Sequence, residues 1–259
     1  QAVDLDTTYT QRWPVDATIE NAVITKEVRA RDIWNIIVDS AWRSGEPGLL
    51  MWDNICRELP AHFYPGFETT STNPCAELPL CPDDSCRLIS QNLMGWVIDP
   101  FSKNNRFDFD GYYQDTKLAQ RMSDGLVELE IESVHKIMNT YNHTDPGYGM
   151  WNRILLKAIE GRRTGLGTHG LADTFLGLNL RYDSDEAIVM ADKIFETHRN
   201  ASYDASMDMA EERGAFPVWN FETDMKCNFI KRFDKERLKR MKRVGRRNIS
   251  NLTIAPTGS

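Results

Sequence analysis

Three cysteines crowd into one short stretch of the chain: Cys75, Cys81 and Cys86. The first lies in Ser71-Thr72-Asn73-Pro74-Cys75-Ala76-Glu77, with a carboxamide two residues before the thiol and a carboxylate two residues after it. Side chains alternate along an extended backbone, so an extended segment points Asn73, Cys75 and Glu77 to the same side. A hydrogen-bond donor, a sulfur and a general base then face one substrate. Two blander readings compete: a zinc knuckle, or three buried structural cysteines. Zinc knuckles prefer gaps of about two to four residues and a second Cys/His pair. Here the gaps are five and four residues, and no histidine is near. Spacing alone leaves metal binding, structural burial and redox or radical chemistry all open.

A second segment, Gly161-Arg162-Arg163-Thr164-Gly165-Leu166-Gly167-Thr168-His169-Gly170, formally satisfies the dinucleotide fingerprint through Gly165, Gly167 and Gly170. Its context argues against that reading, because a helical pattern (Trp151–Ile159) precedes it where a buried strand is required. A tight Gly-rich turn that lets a helix pack closely on a sheet is the expectation. The third segment closes the chain: Leu252-Thr253-Ile254-Ala255 runs into Pro256-Thr257-Gly258-Ser259. Small hydroxyl residues and glycine at a strand end leave backbone N–H groups free to hold a phosphate. The bland alternative is a plain strand-to-helix turn.

These segments need elements to position them. Ala30, Ile33, Trp34, Ile37 and Ala41 follow helical spacing, ended by Gly45 and Pro47. A second apolar stripe passes through Leu118, Met122, Leu126, Leu129 and Ile137. A third helix is expected from its N-cap at Ser184, through Ile188, Ala191, Ile194, Phe195, Ala205 and Met209, to Gly214. Residues 101–114 and 142–149 read as loops. Gly48–Trp52, Leu176–Leu180 and Leu252–Ala255 are strand candidates, and the alternation with helices implies α/β architecture with a parallel sheet. No composition break suggests an internal domain boundary.

The 259 residues are 41% hydrophobic and 27% charged, ordinary for a soluble enzyme, and no run of 18 apolar residues exists to span a membrane. The chain begins at Gln1 without a charged-then-apolar leader. Five cysteines, an odd number not spaced as a staple framework, suggest a reducing, cytoplasmic compartment. The net charge is −7, yet residues 226–247 hold 11 Lys/Arg against 2 acids. This basic run, Lys231 through Arg243, reads as a solvated helix face. Without aromatic interleaving it makes a weak nucleic-acid surface.

In combination these segments resemble the large catalytic chain of ribonucleotide reductase, of the class I/class II type. Asn73-Pro74-Cys75-Ala76-Glu77 is similar to that family's finger-loop motif, Asn-Pro-Cys-Gly/Ala-Glu. Ser85-Cys86-Arg87-Leu88, with Cys86 eleven residues after Cys75, is similar to its Ser-Cys-Asn-Leu segment. Gly161–Asp173 resembles its Arg-Arg-x-Gly-Leu-Gly-x-x-Gly-x-Ala-Asp signature. Glu211–Pro217 and the closing Ala255-Pro256-Thr257-Gly258-Ser259 match as well, in the family's order.

The resemblance implies an incomplete ten-stranded α/β barrel with a central finger loop, residues 1–259 forming one partial barrel domain. It implies reduction of ribonucleotide di- or triphosphates to 2′-deoxyribonucleotides by thiyl-radical chemistry. Cys75 becomes the thiyl radical that takes the ribose 3′-hydrogen, Glu77 the base on the 3′-hydroxyl, and Asn73 a hydrogen-bonding partner of the ribose. Asn73, Pro74 and Cys75 lie against the substrate, and Pro256, Thr257, Gly258 and Ser259 hold its phosphates. Cys86 is one of two thiols that end as a disulfide, recharged by a thioredoxin-like reductant. No metal ligands are assigned. The wording of the motifs looks more like the adenosylcobalamin-dependent class II than class I, where a separate di-metal subunit makes the radical.

The departures from the family pattern are specific. The first redox cysteine and two specificity loops of the family lie upstream of anything in this chain, whose Gln1 is expected inside a helix. Arg87, Ile89 and Gln91 replace the usual Asn, Gly and Ile, and Cys81 is an extra thiol, so either Cys81 or Cys86 is the redox partner. The chain stops inside the phosphate loop, as a naturally interrupted gene would leave it. Exposed strand edges then call for complementary reductase segments or an oligomeric partner. Two alternatives remain: a zinc-binding Cys-cluster module whose basic helix contacts nucleic acid, and a non-catalytic reductase remnant.

Overall fold

Threonines and aromatics in one short run and Ile24, Thr25 and Val28 in the next form a hairpin. In the computed structural model, which describes residues 3–14 and 18–257, β1 (Thr8–Trp13) pairs antiparallel with β2 (Ile24–Arg29). Strand β2 runs straight into α1 (Ala30–Ser44), which stops where Gly45 takes φ 76° and donates its N–H to the Ala41 carbonyl at 2.9 Å. This hairpin and helix make up the first of two compact units, Gln1–Met51. The helix predicted from Ala30 to Ala41 is present with its glycine stop. The expectation that Gln1 lies inside a helix falls outside the described residues; residues 3–6 are a turn leading into β1.

The second unit, Trp52–Ser259, holds all the remaining elements. In chain order these are α2 (Trp52–Glu58), β3 (Ser71–Thr72), β4 (Pro79–Leu80), β5 (Leu88–Asn92), β6 (Val97–Ile98) and β7 (Arg106–Phe107). The long α3 (Phe109–Met138) and α4 (Pro146–Gly161) follow, then β8 (Gly165–His169) and α5 (Leu171–Gly177). The unit continues through α6 (Asp185–Arg213), α7 (Phe221–Asp224), α8 (Asn228–Lys231) and α9 (Lys235–Val244). Strands β5 and β8 are parallel, in register from Leu88 opposite Gly165 to Asn92 opposite His169. A parallel bridge from Leu166 to Leu252 brings a third segment alongside. Helices fill each crossover, as parallel pairing requires. The architecture is mixed α/β as expected, but among the described residues the sheet does not close into a barrel.

Several expectations are corrected. The Gly-rich segment is the strand β8 rather than a turn. Glycines at 165 and 167 are needed because a Cβ at Gly167 would meet the Thr253 backbone, its carbonyl carbon at 3.2 Å. Gly48–Trp52 and Leu176–Leu180 are not strands, and Leu252–Ala255 contributes one bridge only. Helix α3 starts at Phe109, inside a segment read as loop, because Asp108 caps it by accepting from the Gly111 N–H at 3.0 Å. Helix α4 likewise starts at Pro146, inside the second such segment. The apolar stripe on α3 faces outward: Leu118, Met122 and Leu129 are exposed. The buried face is instead Tyr112, Thr116, Gln120, Ser123, Asp124 and Val127. It packs on α6 through polar contacts, Ser202 Oγ donating to Gln120 at 2.9 Å and Tyr112 bonding His198 at 2.8 Å.

Helix α6 matches its prediction, capped by Ser184 and ended at Gly214. Most of the basic run forms α9, where Lys235, Lys239, Lys242 and Arg243 are exposed as expected, while Arg237 and Arg240 turn onto α6. Arg237 binds Asp204 at 2.8 Å, and Arg240 binds Asp208 at 2.6 Å and Glu211 at 2.7 Å.

Candidate active site

Strands β3 and β4 pair Ser71 with Leu80 and Thr72 with Pro79, making a short hairpin with Cys75 exposed at its tip. The tip is a turn, not an extended strand. Ala76 takes φ 65°, its N–H donating to the Asn73 carbonyl at 3.0 Å, while the Leu78 N–H donates to the Asn73 side-chain oxygen at 3.1 Å. The argument from strand alternation therefore fails, and a tight loop is what gathers Asn73, Pro74, Cys75 and Glu77. With its oxygen occupied, the Asn73 amide nitrogen remains available to donate. Glu77 Oε2 is buried and has no hydrogen-bond partner.

Thr253 connects this tip to the parallel strands. Its hydroxyl donates to the Glu77 carbonyl at 2.7 Å. Its methyl carbon lies 2.8 Å from where a Cβ on Gly165 would stand, a position that also falls against the Cys86 sulfur. The missing side chain at 165 is thus what makes room for Cys86 beside Thr253. Three segments far apart in sequence meet here: the Cys75 hairpin, the Cys86 loop and the strand leading to the Pro-Thr-Gly-Ser turn. Burial pushes the Cys86 thiol up to about 12, with Arg163 and Arg87 drawing it down and Asp84 and Glu77 adding to the rise. Cys81 is packed in an apolar cluster with Tyr64, Phe67, Phe216 and Ile249, and burial raises it to about 11.

The phosphate turn is only partly described. Pro256 and Thr257 are exposed, and Gly258 and Ser259 lie outside the described residues. Thr257 lines a cavity of about 550 Å³ with Asn92, His169 and Tyr182, at the carboxyl ends of β5 and β8. Open parallel sheets bind ligands at such ends. Among the described residues no group of three or more His, Cys, Asp or Glu is arranged around a metal position. The three cysteines do not converge as a zinc knuckle would require.

Sequence reasoning missed a set of buried arginines, two of which, Arg163 and Arg87, act on Cys86. Arg163 pairs with Asp84 at 2.6 Å, Arg162 with Asp124 at 2.9 Å and Arg246 with Asp224 at 2.7 Å, all deeply buried. Arg87 is fixed by Glu130. The signal was visible in the doublets Arg162-Arg163 and Arg246-Arg247, each just before an apolar segment, where an arginine can enter only with a carboxylate partner.

The family model "Ribonucleotide reductase, barrel domain" matches residues 6–259. A vitamin B12-dependent ribonucleoside-diphosphate reductase of Thermoplasma acidophilum is 34% identical over 236 residues, covering 91% of this chain and 26% of that protein. One from Mycobacterium tuberculosis is 32% identical over 238 residues, covering 91% of this chain and 28% of the relative. The chain therefore spans about a quarter of the length of these curated relatives. Among solved structures, the alpha subunit of the Actinobacillus ureae class Id ribonucleotide reductase matches with a TM-score of 0.62 at 22% identity. It covers 88% of this chain and 36% of that one, a likeness of fold.

Proposed function

Because the chain belongs to the ribonucleotide reductase family, through its barrel domain, we propose that it forms part of an enzyme that reduces ribonucleotides to 2′-deoxyribonucleotides. The observation that carries the reading is Glu77 Oε2, a buried acceptor with no partner, two residues from an exposed thiol at a hairpin tip. A buried polar atom is ordinarily satisfied, and a ribose hydroxyl would supply the missing proton. Cys75, as a thiyl radical, takes the 3′-hydrogen; Glu77 accepts the 3′-hydroxyl proton; the Asn73 amide donates to the ribose. Cys86 gives up reducing equivalents, a role its partial exposure and nearness to Glu77 favour over Cys81 in its apolar cluster. Pro256 and Thr257, with Gly258 and Ser259, take the phosphates. The relatives' names favour a diphosphate substrate.

The same names support adenosylcobalamin as the radical source rather than a di-metal subunit. That cofactor would supply the oxidant for Cys75, whose exposed thiol is accessible to it. Neither large cavity of the second unit is lined by Cys75, so no corrin-holding residues are assigned in this chain. Both units belong to one partial barrel domain in this reading, since the family match runs across Met51. The missing strands come from further reductase segments or a partner chain. A dithiol protein of the thioredoxin kind recharges the site, in the cytoplasm. Among the described residues no helix is long and apolar enough to cross a membrane.

The test is deoxynucleotide formation by the full-length protein with adenosylcobalamin and a dithiol. Cys75→Ser is expected to abolish it, and Glu77→Gln to reduce it by about 10²-fold or more, the usual contribution of a general base. Full activity in Cys75→Ser would overturn the assignment.

A further inference from the structure

The loop between Cys81 and Arg87 is enclosed by two arginines with unused donors. Arg163 has no exposed side-chain surface, and its Nε donates to Asp84 Oδ2 at 2.6 Å. Both of its terminal nitrogens, Nη1 and Nη2, are buried without a hydrogen-bond partner. Arg87, paired through Nε with Glu130, donates from Nη1 to the carbonyls of Arg163 (2.9 Å) and Ser85 (3.3 Å), and its Nη2 is also buried and unpartnered. Buried donors without acceptors are costly, and more so when the group is charged. The Cys86 and Cys81 sulfurs lie within the electrostatic reach of these cations. Arg163 and Arg87 both act on Cys86, against Asp84 and Glu77; Cys81 feels Arg163 and Lys157 against Asp84. Cys81 is held in the apolar cluster with its sulfur 3.6 Å from Asp84 Oδ2, a poor setting for a negative charge. Cys86 keeps partial exposure, and its sulfur rests against Gly165, two residues past Arg163.

A thiol is a weak acceptor and a thiolate a strong one. We propose that Arg163, clamped by Asp84, is a positioning residue for thiol–disulfide exchange at Cys86, its free guanidinium donors stabilising that sulfur as a thiolate. The inference rests on the redox role proposed above for Cys86. When the disulfide containing Cys86 is recharged, a thiolate of an external dithiol attacks the partner sulfur. A new S–S bond forms to that sulfur, the old one breaks, and Cys86 departs with the bonding electron pair, later taking a proton from solvent. The second thiol of the external pair releases the mixed disulfide, so two electrons pass from the dithiol to the protein. A thiolate leaves faster when it is better stabilised. Burial alone would oppose that departure; the charge of the nearby guanidinium offsets it as the thiolate forms.

The experiment uses the reduced full-length protein and iodoacetamide between about pH 7 and 9.5, a range bracketing an ordinary thiol, with Cys86 modification read by peptide mass spectrometry. Below its pKa the alkylation rate follows the thiolate fraction, so losing one unit of stabilisation slows it about tenfold at fixed pH. Arg163→Gln is expected to shift the profile by that amount, and an unchanged Cys86 profile would overturn the proposal. Unfolding moves the rate the other way, accelerating both Cys86 and the buried Cys81, so it cannot imitate the expected result. If Arg163→Gln does unfold, Arg163→Lys carries the test. A Cys86 rate below wild type with Cys81 still protected supports the proposal; a wild-type rate overturns it. Alkylation needs no turnover. A wild-type protein that forms no deoxynucleotide would therefore defeat the proposed reaction while leaving the thiolate result intact.

Discussion

Replacing Gly167 by alanine tests whether the site depends on the close approach of β8 to the strand that carries Thr253. The new methyl group would fall on the Thr253 carbonyl, with the carbonyl carbon at 3.2 Å and Ile254 Cα at 3.4 Å. These are backbone atoms, and they are tethered. Leu166 N–H donates to the Asn251 carbonyl at 2.8 Å, Thr253 N–H to the Leu166 carbonyl at 3.2 Å, and Thr253 Oγ1 to the Glu77 carbonyl at 2.7 Å. Relief therefore requires breaking the bridge or shifting the segment that leads to Pro256 and Thr257. Overpacking a filled site costs about 1–3 kcal/mol, and a backbone obstacle puts this one at the upper end. For a unit of this size 1 kcal/mol is worth about 2–4 °C, so the melting temperature should fall by about 6–12 °C. Gly125→Ala is the matched control. It lies within α3 with nothing within 4 Å of the new Cβ, and alanine in a helix is favoured over glycine by about 1 kcal/mol. Thermal unfolding of both variants, with calorimetric titration of a ribonucleoside diphosphate into the full-length protein, gives the answer. A Gly167→Ala protein that melts with wild type and binds nucleotide normally would refute the reasoning.

Three further outcomes follow from two buried groups and one helix cap. Asp224→Asn leaves the fully buried Arg246 without its counter-charge and disturbs the Tyr64 hydroxyl bonded to Asp224 at 2.7 Å; urea unfolding should show a loss of about 3–5 kcal/mol. His198 is buried between Tyr112 and the Leu166 carbonyl, and burial pulls its imidazole down from 6.5 to about 4. The unfolded chain therefore binds a proton that the folded one refuses. Stability is complete above pH 6.5 and falls by about 3 kcal/mol towards pH 4, and His198→Gln should flatten that part of the stability–pH curve. Ser184→Ala removes the cap on the Ala187 N–H, 3.2 Å away, and should lower stability by about 1 kcal/mol in denaturant titration.

Sequence legibility followed the kind of force at work in each element. Helices α1 and α6 were readable because their stops and caps are local chemistry: Gly45, Ser184 and Gly214 act within one turn of where they stand. The buried face of α3 was not. It buries Thr116, Gln120 and Asp124, whose partners Gln91, Thr164, Ser202, Asn248 and Arg162 come from distant segments, while Leu118 and Leu129 face out. Hydrophobic periodicity cannot see a face buried by hydrogen bonds. Strand β8 was missed for a similar reason, since its glycines answer to Cys86 and Thr253 rather than to any preference of their own backbone. At the site, the residue types in Asn73–Glu77 were legible and the resemblance gave them roles, but the tight turn that gathers them replaced the extended geometry first expected.

The division between a local hairpin and a distant seat also sets an order of assembly. Strands β3 and β4 close over a few residues, the kind of step that takes about 1–10 μs. The place where Cys86 rests exists only after Leu88 has found Gly165 across two long helices and Leu166 has found Leu252 across five more. Such non-local pairings fold slowly. During that interval only ten residues separate Cys75 from Cys86, those beyond Leu80 still unanchored, and Cys81 has no apolar cluster to hide in. Oxidation at that stage ties together thiols that the finished fold keeps in separate surroundings. Refolding yield should therefore depend on how long the chain is held reduced, and a trapped Cys75–Cys81 or Cys75–Cys86 bond would mark molecules that closed before their strands had met.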